Sequence, residues 1–191
     1  MPRIVIILPS GSALGQGEGV AKSLAEPEKK SSFSFELVLI ETRSARLERD
    51  GKVAKSKLGQ GDRAWSRRLS EASFTTLVRL AQRQLSLGQS CIVEGNWRAV
   101  NLPGIELVLR ASGARAVQIW CCADPAEIVR RFTARARHAG HLDALMPRAE
   151  LERAACEGPE FLELEGPRFI FQSDAPGSFD ALICALQSSP L

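Results

Sequence analysis

The chain lacks any apolar run of the about 18 residues that a membrane-crossing helix needs, and its N-terminal run Ile4 to Leu8 is shorter than the core of a signal peptide. A cytoplasmic protein with no membrane partner is the expectation. Histidine is nearly missing: His138 and His141 are the only two, too few to make a metal site. The five cysteines, Cys91, Cys121, Cys122, Cys156 and Cys184, are odd in number and show no zinc-type spacing. They fall mostly inside apolar runs, which fits reduced, buried thiols better than a disulfide framework. Excess charge is small, at a formal +3. Basic residues thicken between Arg43 and Arg68, but aromatics are not interleaved with them as a base-stacking surface requires, so a solvated helical face is expected and a nucleic-acid partner is not.

What is present is ordinary for a globular protein. Hydrophobic residues make up 45% and charged residues 25%, which excludes disordered and fibrous classes, and 191 residues suffice for one good core, read as a single domain over residues 1–191. Ile4 to Leu8 is a continuous apolar, β-branched run that stops at Pro9-Ser-Gly-Ser12, as a strand buried on both faces does. Val20 to Glu26 reads as a helix stopped by Pro27, and Phe33 to Ile40 as a second strand. A charged stretch from Thr42 to Gly61 has poor periodicity. From Asp62, a good N-cap, apolar residues recur at helical spacing to Leu85, with Gly88 as the stop. Ser90 to Glu94 then predicts a strand, Pro103 to Ser112 a helix, and Ala114 to Cys122 a strand. Asp124-Pro125 opens a helix running through Ile128, Phe132 and Ala136. A helix near Pro147 to Cys156, a strand Arg168 to Gln172 and a helix Phe179 to Leu186 complete the chain. Alternating strands and helices imply an α/β fold with a mostly parallel five-stranded sheet, helices on both faces, and a ligand at the carboxyl ends of the strands.

The turn after the first strand is the first place to look for chemistry. A phosphate cradle needs glycines that let backbone N–H groups face the anion, a lysine, and a hydroxyl for magnesium, usually as GxxxxGK[ST]. Leu8 to Gly15 has the four central residues, but Leu8 and Ala13 stand where glycines belong, and Leu14 and Gly15 replace lysine and hydroxyl. A second register ends on Lys22-Ser23 with Gly15, Gly17 and Gly19 upstream, yet Gln16 and Ala21 then hold the glycine positions. A glycine-rich turn that binds nothing competes evenly with a phosphate loop here.

Together the pieces resemble the family of small P-loop kinase-like ATPases, the AAA-type kinases related to nucleoside kinases, zeta toxin and chloramphenicol phosphotransferase. The likeness is strongest from Gly61 to Asp143, in Gly61-Asp-Arg-Ala-Trp65, in Leu87 to Arg98, in Ala114 to Pro125 and in Arg131 to Asp143. Pro9, Ser10, Gly11 and Ser12, and later Val20 to Glu26, look like the two flanks of that family's phosphate loop and its helix. Seven residues, Ala13 to Gly19, join the flanks where the family has four, so the Walker A loop is degenerate. The resemblance implies a three-layer P-loop NTPase fold that binds ATP and Mg2+. Its expected phosphate contacts are Pro9, Ser10, Gly11, Ser12, Gly15, Lys22 and Ser23. Glu41 takes the place of the aspartate that the family sets after its second strand, near the acceptor hydroxyl.

Two further groups join this reading. Glu94 could organise magnesium or a water, Asn96 and Trp97 could hold an acceptor, and Arg98 could reach a phosphate in bidentate fashion. The competing reading is a capped strand end with Trp97 in the core. Arg131 and Arg135, four apart, could line a helix face in a lid spanning residues 130–157 and stabilise the transferring phosphoryl group, or simply be a solvated basic face. The implied function is an ATP-binding kinase-like protein that passes the γ-phosphoryl of ATP to a small-molecule acceptor. The alternative is a pseudokinase or binding module that has lost turnover, which Leu14 at the lysine position favours.

Overall fold

The computed structural model describes residues 2–9, 37–41, 63–95, 97–134 and 146–189, with backbone alone at Pro9, 37–41, 63–70 and Ser73. The apolar run near the N-terminus is strand β1 (Arg3–Pro9), and β2 (Leu37–Glu41) takes the C-terminal part of the second expected strand. The long periodic segment is helix α1 (Arg63–Ser86). It ends in a double closure: Gly88 N donates to Leu85 O at 3.0 Å and Gln89 N to Gln84 O at 3.1 Å, with Gly88 at φ 75°. That left-handed position is why a glycine ends the helix.

Strand β3 (Ser90–Glu94), a 3₁₀ turn (Ala99–Asn101), α2 (Leu102–Ser112) and β4 (Arg115–Cys122) follow. Next come α3 (Pro125–Ala134), α4 (Arg148–Ala155), β5 (Arg168–Gln172) and α5 (Ser178–Ser188). Asp124 caps α3 as expected, its Oδ1 accepting from Ala126 N at 2.9 Å. The expected helix over Val20 to Glu26, the Asp62 cap and the continuation of α3 towards Ala136 lie outside the described residues. Among the described residues no helix is long and apolar enough to cross a membrane.

The five strands form one sheet in the order β2-β3-β1-β4-β5, parallel at every junction. Alternation along each strand splits the core in two. Ile4, Ile6, Leu8, Cys91, Val93, Ala116 and Trp120 face one way and pack on Leu77, Ala81 and Leu85 of α1 and on Ile105 and Val108 of α2. Val5, Ile7, Ile92, Val117, Ile119, Cys121 and Phe171 face the other way, onto Leu182 and Leu186 of α5. Helices therefore cover both faces, which is what lets β1 and β4 be buried and largely apolar along their centres. Each such fully buried Ile or Leu contributes about 1.5–3 kcal/mol from apolar burial.

One buried polar side chain interrupts this pattern. Gln118, in the middle of β4, donates from Nε2 to Leu162 O at 3.1 Å and accepts from Leu162 N at 2.8 Å. Both ends of the amide thus pair with the backbone of the extended segment before β5, whose Leu162 and Leu164 enter the α1 side of the core. Gly166 closes the same segment at φ 132°, where a Cβ would stand 2.1 Å from Ala116 O, so no side chain fits there.

Candidate functional site

Parallel pairing brings every strand's carboxyl end to one side of the sheet. There Glu41 pairs in register with Glu94, Glu94 with Ile7, Pro9 with Cys121, and Cys122 with Gln172. From β1 the chain departs towards β2 on one side, and from β4 towards β5 on the other. The order reverses between β1 and β4, and open α/β sheets take their ligands in the crevice at such a reversal. Pro9 and the Cys121 to Asp124 segment flank that crevice, with Glu94 one strand further and Glu41 beyond it. Neighbouring strands lie about 4.8 Å apart, so two acidic positions stand side by side next to the end of β1.

Glu94 follows Val93 and leaves the sheet on the face shared by Ile92 and Cys121. Burial first, and then the Glu94 carboxylate, push the Cys121 thiol far above its usual range; burial alone pushes Cys91 up to about 12. Both stay protonated and serve as packing groups, since it is the thiolate that reacts. Beyond Glu94 the chain turns sharply: Gly95 N donates to Ile7 O at 3.5 Å and Trp97 N to Gly95 O at 2.8 Å. The turn sends Trp97 into the core under α1, where its ring meets Phe74 edge-on with centroids 5.2 Å apart. The Trp97 indole N–H is buried with no hydrogen-bond partner among the described residues. Arg98 stands on the outside of the turn, exposed, with its backbone fixed: Arg98 N donates to Asn101 Oδ1 at 2.9 Å and Asn101 N to Arg98 O at 2.8 Å.

A second polar cluster ties the start of α3 to the turn after β5. Arg131 donates from Nε to Glu127 Oε1 at 2.6 Å and from Nη1 to Ser173 Oγ at 3.0 Å. Arg130 takes both oxygens of the same carboxylate, at 2.6 and 2.7 Å. Hydrogen bonds from Arg130 and then Arg131 hold Glu127 near about 2, well below the usual carboxylate range. Asp174 accepts from Asp124 N at 2.8 Å and from Gln172 Nε2 at 2.7 Å, and the first of these bonds leads in lowering its pKa. Glu127, Ser173 and Asp174 were not foreseen. Their sequence signals were the three- and four-residue spacing of Glu127 from the two arginines and the position of Ser173-Asp174 just past a strand.

Of the expected site residues, Pro9, Glu41, Glu94, Trp97, Arg98 and Arg131 are located in this way. Glu41, Glu94 and Pro9 share the sheet's carboxyl side, whereas Trp97 is in the core and Arg131 is engaged with Glu127 and Ser173. Ser10, Gly11, Ser12, Gly15, Lys22, Ser23, Asn96 and Arg135 lie outside the described residues.

Several solved structures share this architecture. A candidate kinase from Chloroflexus aurantiacus superposes with a TM-score of 0.71 at 25% identity, over 97% of both chains. The fold is that of the P-loop kinases. Mycobacterium tuberculosis APS kinase, solved with AMPPNP and APS, matches at TM-score 0.55 and 15% identity over 98% of this chain and 100% of its own. Chaetomium thermophilum Kti12 with ADP-AlF3 matches at 0.56 and 16% over 100% of both chains. No protein-family model and no curated protein matches the chain.

Proposed function

We propose that the chain is a nucleotide-binding, kinase-like protein that transfers the γ-phosphoryl group of ATP to a small-molecule acceptor. The observation that carries this reading is the in-register pair Glu41 and Glu94 on the carboxyl side of a β2-β3-β1-β4-β5 parallel sheet, beside the end of β1. Pro9, Ser10, Gly11, Ser12 and Gly15 would meet the phosphates mainly through backbone N–H groups, with Lys22 and Ser23 at the head of the following segment. Glu41 accepts the proton of the acceptor hydroxyl as its oxygen bonds to the γ-phosphorus and the bond to ADP breaks. Arg98, Arg131 and Arg135 balance the charge on the moving phosphoryl oxygens, and Asn96 holds the acceptor over a turn anchored by the buried Trp97.

Magnesium fits the donor chemistry of adjacent carboxylate positions. Among the described residues no group of three or more His, Cys, Asp or Glu side chains is arranged to hold a metal, so magnesium would draw most of its oxygens from phosphate and water, as it commonly does. Glu94 would help to hold it, and its chemistry there would be to neutralise phosphate charge. Of the five cysteines expected to be mostly buried thiols, Cys91 and Cys121 are buried, Cys122 is half-buried, and Cys156 and Cys184 are exposed.

A second reading, a relative that binds but does not turn over nucleotide, is favoured by Leu14 at the lysine position and by the seven residues Ala13 to Gly19. Release of ADP from Mg-ATP across a panel of small hydroxyl acceptors tests the first reading. Mg-ATP binding with no ADP release from any acceptor, restored by grafting Gly-Lys-Ser-Thr in place of Ala13 to Gly19, would establish the second.

A further inference from the structure

Glu127 has no place in the mechanism above, yet it is the acceptor on which two arginines converge. Arg130 uses both carboxylate oxygens and still lies 67% exposed along the helix, whereas Arg131 is 36% exposed and reaches across to Ser173. A guanidinium has five N–H donors. Arg131 places its Nε–H on Glu127 and one Nη1–H on Ser173, and its remaining donors make no hydrogen bond among the described residues, although the Asp174 carboxylate lies close enough to act on its charge. An arginine on a short helix otherwise samples many rotamers, so two fixed partners select one of them.

Glu127 is itself held. It lies in the first turn of α3, where the helix dipole favours a negative charge. That turn is anchored by Asp124, whose Oδ1 takes Ala126 N at 2.9 Å and whose O takes Ile128 N at 2.9 Å. Asp124 N is bound by Asp174, and Ser173 N donates to Cys122 O at 2.7 Å, so both partners of Arg131 are fixed to the carboxyl ends of β4 and β5.

We infer that Glu127 is a positioning residue, which sets the Arg131 guanidinium against Ser173 and leaves its remaining N–H groups for the anionic oxygens of a bound nucleotide. This rests on the nucleotide-binding reading. The test has one readout that needs no nucleotide. In the ¹⁵N spectrum of arginine side chains, the Arg131 Nε–H signal, identified by its loss in Arg131→Lys, is shifted and slow to exchange in the wild type and in Arg130→Ala. In Glu127→Ala it joins the signals of free arginines.

Calorimetric titration with Mg-ATP supplies the second readout. Affinity falls about tenfold in Glu127→Ala and stays within about twofold in Arg130→Ala. It falls no further when Glu127→Ala is added to Arg131→Lys. A freely exchanging Arg131 Nε–H in the wild type, wild-type affinity in Glu127→Ala, or additive losses in the double variant would overturn the inference. If the wild type binds no Mg-ATP, the nucleotide reading fails instead, and the Nε–H signal alone decides whether Glu127 holds Arg131.

Discussion

Replacing Gln118 with methionine keeps the length and flexibility of the side chain and removes both of its hydrogen bonds to Leu162. The two lost partners do not cost the same. Leu162 N is buried and has only Gln118 Oε1, at 2.8 Å, among its described partners, so it is left unsatisfied at about 1–3 kcal/mol. Leu162 O keeps two other donors, Leu164 N at 2.7 Å and Arg168 Nη2 at 3.1 Å, so its loss costs no more than one ordinary hydrogen bond, about 1 kcal/mol. The apolar thioether recovers part of this, leaving a net destabilisation of about 2–3 kcal/mol. For a chain of this size that lowers the melting temperature by about 4–12 °C. Urea unfolding followed by far-ultraviolet circular dichroism measures it. An unchanged midpoint at unchanged slope would refute the pairing of Gln118 with the segment before β5.

Two further outcomes follow from the same structure. Trp97→Phe deletes a buried N–H that has no partner among the described residues while keeping an aromatic edge for Phe74, so stability should change by less than about 1 kcal/mol; Trp97→Ala should cost about 3–5 kcal/mol in the same unfolding assay. Glu127 is lowered from 4.5 to about 2 on folding, so its contribution to stability is complete above the ordinary pKa and is lost as pH falls towards the folded one. The melting-temperature difference between wild type and Glu127→Gln should therefore be constant near neutrality and shrink below pH 4.5. A gap that widened on acidification would contradict the pairing of Glu127 with Arg130 and Arg131.

Much of this fold is legible in the residues because its inner strands are buried on both faces. In Ser90 to Glu94 the buried run Cys91 to Val93 stands between polar ends; Arg168 to Gln172 likewise carries an apolar run between polar ends, although Ile170 is exposed at the sheet edge; and the long helix stops at Gly88 because only a glycine takes the left-handed turn cheaply. Local rules see less of the site. The partner of Gln118 lies 44 residues away and that of Arg131 lies 42 away, so no spacing in the sequence marks Leu162 or Ser173. Trp97 illustrates the same limit: an aromatic just past a strand end suits an acceptor pocket and a core equally well, and the tight turn at Gly95 to Trp97 decides for the core. Glu41 and Glu94 were each legible as strand ends. That they are neighbours follows only from the order of strands, which places β3 between β2 and β1.

Calorimetric titration of Mg-ATP into the purified chain, with Arg98→Ala in parallel, tests most directly whether the carboxyl side of this sheet handles nucleotide. Saturable binding in the micromolar range by the wild type, weakened about tenfold by the variant, is the predicted result. No heat of binding from a folded wild type, or equal binding by both proteins, would contradict it.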